Sequence, residues 1–101
     1  MISIKSPLEF EEAIKGDKVF VDFYADWCGP CKMLDMVLEE IESEMDDVTF
    51  VKVDADRFRN LCKEYKVLNV PVCMVFEKGK MVRSQSGFMR KEELMDFIHQ
   101  S

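Results

Sequence analysis

The sequence predicts an α/β fold with a central mixed sheet of about five strands and helices on both faces. Apolar runs alternate with segments whose apolar side chains recur every three or four residues, in the order β-α-β-α-β-α-β-β-α. Such alternation is typical of parallel strands joined by right-handed helical crossovers. The last two strands are separated only by a turn at residues 77–80, which indicates an antiparallel hairpin.

Length and charge narrow the class of protein. The chain has 101 residues and a formal net charge of −6, which suits one domain over residues 1–101 with a modest core. Net acidity favours solubility and argues against a nucleic-acid-binding surface, which needs a basic stripe. No segment approaches the ~18 apolar residues of a membrane span. The start of the chain does not resemble a signal peptide, so we expect a cytoplasmic protein without membrane contact.

The first two elements are a short strand at residues 2–4 and a helix with a clear N-terminal signal. Ser6 is expected to cap this helix, Pro7 to occupy its first position and Glu9 to complete a capping box. Gly16 is expected to end it.

The next strand, residues 19–24, is apolar apart from Asp22. Continuous apolar runs are typical of strands buried on both faces. Asp22 either faces water at a sheet edge or is a buried carboxylate whose raised pKa suits it to move protons.

A long helix, residues 33–45, and an apolar strand, residues 48–53, follow. Lys52 interrupts that strand as Asp22 interrupts the neighbouring one. Because buried charges need partners, we expect Asp22 and Lys52 to face each other. The alternative is that Lys52 extends along its apolar stem to reach water.

In the second half of the chain, Asp56 is expected to cap a third helix, and Cys62 lies on its apolar face. Cys73 falls in the apolar strand at residues 72–76. Both cysteines are interpreted as core thiols, because a buried cysteine behaves as a small hydrophobe. A final helix, residues 91–99, closes the chain.

Two cysteines, Cys28 and Cys31, lie where the second strand gives way to the long helix. If that helix begins near Cys28, both sulfurs share one helix face, a turn apart. Free backbone N–H groups and the helix dipole then favour negative charge on Cys28. Since the thiolate is the reactive form, Cys28 is predicted to be a nucleophile and Cys31 the thiol that attacks the resulting mixed disulfide.

The six residues 27–32, Trp-Cys-Gly-Pro-Cys-Lys, resemble the active-site motif of the thioredoxin family letter for letter. The resemblance covers nearly the whole chain and implies the thioredoxin fold and reduction of protein disulfides. It also implies that Asp22 is the family's buried aspartate, which assists Cys31, and that Lys52 is the lysine that tunes it. Pro71 matches the family's cis proline beside the disulfide, and an X–Pro bond is the kind that adopts cis readily.

The resemblance further implies a substrate-binding rim and a redox partner. The rim would consist of residues around the two cysteines: Trp27, Gly29, Pro30, Val70, Pro71 and Gly87. Phe88 and Met89 would enlarge it if they are exposed, although such side chains are more often core. The chain is expected to bind no cofactor or metal itself, to take electrons from NADPH through a thioredoxin reductase, and to work as a monomer on disulfide-containing proteins.

Three alternatives remain at this point. A specialised oxidase or isomerase with the same fold would differ in reduction potential. An interaction module, redox-sensing or redox-inactive, is the second alternative, and the redox-inactive kind would keep its activity without Cys28. A structural zinc site would need four convergent ligands, for which Cys62 and Cys73 are poorly placed.

Overall fold

Residues 1–100 are described by a computed structural model, and within them five strands and four helices alternate in the predicted order. The elements are β1 (Ile2–Ser3), α1 (Pro7–Ala13), β2 (Val19–Tyr24), α2 (Gly29–Glu42), β3 (Thr49–Asp54), α3 (Arg59–Glu64), β4 (Val72–Glu77), β5 (Lys80–Ser86) and α4 (Lys91–His99). The predicted α/β class is confirmed, and most of the predicted boundaries lie within a few residues of the observed ones.

The sheet has the strand order β1-β3-β2-β4-β5. β1, β3 and β2 run parallel, whereas β4 is antiparallel to β2 and β5 is antiparallel to β4. β2 is therefore the central strand, and the chain that leaves its end reaches the two cysteines directly.

Helices cover both faces of the sheet, as predicted. One core, under α1 and α3, is built from apolar residues that include Phe10, Val21, Phe23, Val53, Leu61 and Met74. The other core, under α2 and α4, includes Phe20, Leu34, Leu38, Val75, Leu94 and Ile98. The side chains of β2 alternate between the two cores, so Asp22 points to the face covered by α2 and α4.

The start of α1 follows the predicted signal in part, and its end does not follow it. Ser6 caps the helix through Oγ, which accepts the backbone N–H of Glu9 at 3.1 Å, and Pro7 is the first helical residue. The predicted capping box is wrong, because the Glu9 carboxylate accepts the N–H of Lys5, at 2.9 Å, and not that of Ser6. The helix ends at Ala13, before Gly16. Gly16 serves packing instead, because a Cβ there would lie 3.1 Å from a methyl group of Val19.

The predicted cap of α3 is also wrong. α3 begins only at Arg59, and Phe58 at the N-cap position makes no side-chain cap hydrogen bond. The carboxylate of Asp54, at the end of β3, accepts the backbone N–H groups of Asp56 and Arg57 at 2.9 and 3.3 Å. This turn precedes the helix and leaves the Asp56 side chain free for another contact.

The hairpin between β4 and β5 turns through two residues with positive φ, Lys78 at 52° and Gly79 at 88°. Two such residues are typical of the turns whose twist matches antiparallel strands. β5 is an exposed edge strand, as predicted. Within residues 1–100, every helix is too short or too polar to span a bilayer.

Candidate active site

The two motif cysteines form a disulfide at the N-terminus of α2. Cys28 is the N-cap residue of the helix, and its Sγ accepts the backbone N–H of Cys31 at 3.2 Å. The Cα atoms of the pair are 5.3 Å apart, and both residues are almost fully buried. The predicted placement of Cys28 at the start of the helix is confirmed, and the contact provides a hydrogen-bond donor for negative charge on this sulfur.

The loop before β4 packs directly against this disulfide. Val70 contacts the cysteine pair, and its carbonyl oxygen lies 3.7 Å from Cys28 Sγ. The Val70–Pro71 peptide bond is cis, as the resemblance to the thioredoxin family implies. The carbonyl of Pro71 in turn accepts the N–H of Gly87 at 2.8 Å, which joins the end of β5 to the same loop.

The six predicted rim residues fall into exposed and partly covered groups. Trp27, Gly29 and Pro30 are exposed, and the Trp27 side chain is 72% accessible. Val70 and Gly87 are half-buried, and Pro71 is buried. The structure thus places all six on segments that adjoin the disulfide or the loop packed on it, with Trp27 as the largest exposed apolar group.

Trp27 is held by Asp56, whose carboxylate accepts the indole N–H at 2.9 Å. Both side chains line a cleft of about 530 Å³ beside the disulfide, whose other walls include Leu68 and Val70. Leu68 is 90% exposed. Charged side chains, Arg59 and Lys63, also line this largely apolar cleft, which reaches the cysteines through Val70. Such a cleft is suited to accept a segment of another protein.

Asp22 is the only fully buried charged side chain among the described residues, and neither of its oxygens has a hydrogen-bond partner. Burial, and to a smaller extent the negative charge of Asp35, raise the pKa of this carboxyl from 3.8 to about 7, against the opposing effect of Lys52. The interpretation of Asp22 as a buried carboxylate with a raised pKa is confirmed, and an edge position facing water is excluded.

Asp22 and Lys52 face each other on adjacent strands, as predicted, but they do not form a direct ion pair. The two residues are neighbours across β2 and β3 in the sheet register. The Lys52 ammonium, however, lies 3.2 and 3.3 Å from the carboxylate oxygens of Asp35 on α2, and 4.3 Å from the ring centre of Tyr24. Asp35 is about one-third exposed, so pairing with it costs less desolvation than pairing with the buried Asp22.

The other two cysteines are free and buried, as predicted. Burial raises the pKa of both thiols, and the nearby Asp22 raises that of Cys73 further. Cys62 packs in the core under α1 and α3, whereas Cys73 packs in the core on the other face. The four cysteines therefore do not converge. Within residues 1–100 no group of three or more potential ligands from His, Cys, Asp or Glu is gathered around one point.

Comparison with known proteins gives a consistent result. The Thioredoxin family model matches residues 2–100. Thioredoxin from Mycoplasmoides gallisepticum is 39% identical over 99 residues, covering 97% of this chain and 99% of that protein. Thioredoxin from Chlamydia trachomatis is 38% identical and covers 97% of this chain and 96% of that protein. The chain belongs to the thioredoxin family.

Solved structures of thioredoxins have the same fold. Oxidised mitochondrial thioredoxin 3 from Saccharomyces cerevisiae superposes with a TM-score of 0.92 at 32% identity, covering all of this chain and 95% of that one. A mutant thioredoxin from Halobacterium salinarum gives 0.89 at 35% identity, covering 96% of this chain and 86% of that one. The chain is accordingly a thiol–disulfide oxidoreductase of the thioredoxin type, a protein-disulfide reductase that acts on disulfide-containing proteins and is served by a reductase partner.

Sequence reasoning missed two acidic residues of this thioredoxin site. Asp35, which binds Lys52, lies four residues after Cys31, so helix periodicity alone places it on the side of α2 near the cysteines. Asp56, which binds Trp27, was assigned to a helix cap. Its partner is 29 residues away in sequence, and no local pattern signals such a contact.

Of the two apolar residues expected to enlarge the rim if exposed, one is exposed and the other is buried. Phe88 is 37% exposed, whereas Met89 is buried in the core under α2 and α4. Only Phe88 can therefore enlarge the rim. Met89 is a core residue, as methionine more often is.

Proposed function

We propose that this chain is a general protein-disulfide reductant in which Cys28 is the nucleophile and Cys31 the resolving thiol. The observation that carries this assignment is the hydrogen bond from the Cys31 N–H to Cys28 Sγ at the helix start. Only Cys28 occupies the N-cap position, so only its sulfur receives both the free N–H groups and the positive end of the helix dipole.

In the first step the Cys28 thiolate attacks one sulfur of a substrate disulfide. The new S–S bond joins Cys28 to that sulfur, and the substrate's other sulfur leaves as a thiolate that takes a proton from water. One disulfide has been exchanged for another at this stage, so no net oxidation or reduction has occurred.

In the second step Cys31 passes its proton to the Asp22 carboxylate, directly or through a water molecule. The resulting Cys31 thiolate attacks Cys28 Sγ, re-forms the Cys28–Cys31 disulfide and expels the second substrate thiolate, which is then protonated. The substrate gains two electrons and two protons overall. A pKa of about 7 suits Asp22 to this exchange, because a base works best when its pKa lies near the operating pH.

Substrate recognition is assigned to the rim and its cleft. An extended segment of the substrate would lie beside Val70 and pair with its backbone as an added strand. Trp27, fixed by Asp56, and the exposed glycine and proline between the cysteines would contact the residues flanking the substrate disulfide. The open, apolar surface supports acceptance of many partners rather than one.

Recycling is assigned to a flavin- and NADPH-dependent thioredoxin reductase, which would return two electrons to the Cys28–Cys31 disulfide without a cofactor bound to this chain. We propose that the protein works in the cytoplasm as a monomer. Monomeric action suits a site whose rim must stay open to large substrates, and a reducing compartment suits a chain with two further free thiols, Cys62 and Cys73.

A disulfide-reduction assay with insulin tests this function. The purified chain is combined with a thioredoxin reductase, NADPH and insulin, and both NADPH consumption and precipitation of the insulin B chain are followed. Catalytic turnover of many insulin molecules per chain is expected. NADPH consumption no faster than without the chain would contradict the assignment as a general reductant.

Cys31→Ser is expected to trap substrate as a stable mixed disulfide on Cys28, because the attacking sulfur of the second step is missing while the first step is intact. The trapped species is measured by non-reducing gel electrophoresis and mass spectrometry of the adduct. The matched control, Cys28→Ser, should trap nothing. Equal trapping by the two variants would reverse or remove the assigned roles.

A further inference from the structure

We propose that Asp35 is a positioning residue for the second step: by binding the Lys52 ammonium it keeps that charge from pairing with Asp22, and so keeps Asp22 able to accept and release a proton near neutral pH. The inference rests on the proposed role of Asp22 as proton acceptor.

The geometry shows a lysine held away from its sheet neighbour. Lys52 and Asp22 are register partners on adjacent strands, the arrangement that most readily brings two side chains together. Lys52 is nevertheless held by the Asp35 carboxylate at 3.2 to 3.3 Å, with its ammonium over the ring of Tyr24 at 4.3 Å. Both Asp22 oxygens remain without a hydrogen-bond partner.

The surroundings of Asp22 contain few charges. The titratable groups that interact with it are Tyr24 on β2, Lys52 on β3, Cys73 on β4 and Asp35 on α2. Once the disulfide is reduced, the Cys31 thiol at the start of α2 joins them. From α4 the core on this face receives apolar side chains only, mainly Leu94, Phe97, Ile98 and Met95. The Asp35–Lys52 pair is therefore the one fixed charge arrangement close to Asp22 among the described residues.

Asp35 raises the pKa of Asp22 in two ways. Its own negative charge raises the pKa of Asp22, and its hold on Lys52 limits the opposing effect of that ammonium. If Asp35 lost its charge, Lys52 would be left without its carboxylate partner and free to approach Asp22. A direct Asp22–Lys52 pair would favour the ionised carboxylate and make it a weaker base.

The pair lies at the protein surface, although one of the two Asp35 carboxylate oxygens is buried. Asp35 and Lys52 line a surface cleft of about 260 Å³ together with Met1, Glu39 and Glu42. The Asp35 side chain is 34% exposed and that of Lys52 is 22% exposed, in contrast to the fully buried Asp22. A partly exposed ion pair can hold a lysine in place at a lower desolvation cost than a buried ion pair.

The test is Asp35→Asn, which keeps the shape of the side chain and removes its charge. Ionisation of Asp22 is followed by NMR of its side-chain carboxyl carbon in the intact protein with the Cys28–Cys31 disulfide formed, so that neither of these thiols titrates beside it. We expect the midpoint to move down by about half a pH unit or more. The pH profile of the second step, measured as release of substrate from a preformed mixed disulfide on Cys28, should shift in the same direction. An unchanged midpoint in a folded Asp35→Asn protein would overturn the proposal.

Three further variants separate positioning from general effects. Glu39→Gln neutralises an exposed carboxylate on the same cleft and should leave the midpoint unchanged. Asp35→Glu should restore a midpoint near that of the original chain. In a Lys52→Met background, Asp35→Asn should move the midpoint less, because only the direct repulsion remains; an equally large shift would show that Asp35 does not act through Lys52.

Failure of this inference is distinguishable from failure of the proposed function. The carboxyl titration needs no substrate, whereas the insulin assay needs no knowledge of Asp22. An active chain whose Asp22 midpoint does not respond to Asp35→Asn contradicts only the positioning role. A chain that does not reduce insulin contradicts the proposed function, whatever the titration gives.

Discussion

Cys28→Ser is expected to abolish disulfide reduction, with turnover in the insulin assay falling by about a thousandfold or more. A serine hydroxyl at the helix start is not ionised at neutral pH and cannot form an S–S bond, so neither step of the exchange can occur. The effect should appear in the rate with reductase and NADPH and in the single-turnover reaction of the reduced chain with insulin.

The matched control is Cys62→Ala, which removes a sulfur from the core under α1 and α3 rather than from the helix start. This variant should keep most of the activity, since the Cys62 thiol hydrogen-bonds only to the carbonyl of Ala55 and only 9% of the residue is exposed, at the wall of the cleft beside Trp27. Substantial residual reduction by Cys28→Ser, or equal losses in the two variants, would contradict the assignment of Cys28 as the nucleophile.

Asp22→Asn is expected to stabilise the protein at alkaline pH by about 2 to 4 kcal/mol. The folded-state pKa of Asp22 is raised from 3.8 to about 7, so the folded chain binds this proton more tightly than the unfolded chain does. The associated stability is fully present below about pH 4 and is lost as pH rises toward 7. Above pH 7 the folded chain carries a buried, unpartnered carboxylate, and asparagine removes that cost.

Denaturant unfolding at about pH 5 and about pH 8 measures this effect. The difference between Asp22→Asn and the original chain should be larger at the higher pH. The control is Asp26→Asn, which removes an exposed carboxylate two residues before Cys28. Its effect on stability should not depend on pH in this way. A stability difference of the same size at both pH values would contradict the raised pKa.

The same substitution should slow the second step, because asparagine cannot accept the proton of Cys31. The original chain is expected to show a rate that changes around pH 7, and Asp22→Asn to lose that dependence while it keeps the attack by Cys28. Rates of the original chain that stay constant between about pH 6 and 9 would contradict proton transfer by Asp22.

Features fixed by local pattern or by resemblance were predictable from the sequence. The apolar runs indicated the strands, because helices cover both sheet faces and a strand buried on both faces consists mainly of apolar residues. The start of α2 at Cys28 and the burial of Asp22 were also predicted. In each case the residues concerned lie within a few positions of the signal that identified them.

Features that depend on contacts between distant segments were not predictable. Lys52 was predicted to face Asp22 because each charge interrupts an apolar strand, and the two are indeed register partners. The lysine's long stem allows it more than one partner, however, and α2 supplies a more exposed one in Asp35. Asp56 was assigned to a helix cap because it precedes α3, whereas Asp54 makes that turn. Local sequence patterns do not show which of several nearby carboxylates a lysine ammonium or a tryptophan N–H will contact.

The most direct test of the account is the reactivity of Cys28 toward iodoacetamide in the fully reduced protein at about pH 7, resolved by residue with mass spectrometry. A sulfur that receives the N–H of Cys31 at a helix start should be more ionised than a free thiol. Cys28 is therefore expected to react about 3 to 10 times faster than free cysteine, and faster than Cys31, Cys62 or Cys73. Alkylation of Cys28 no faster than that of free cysteine would contradict the claim that the helix start activates it.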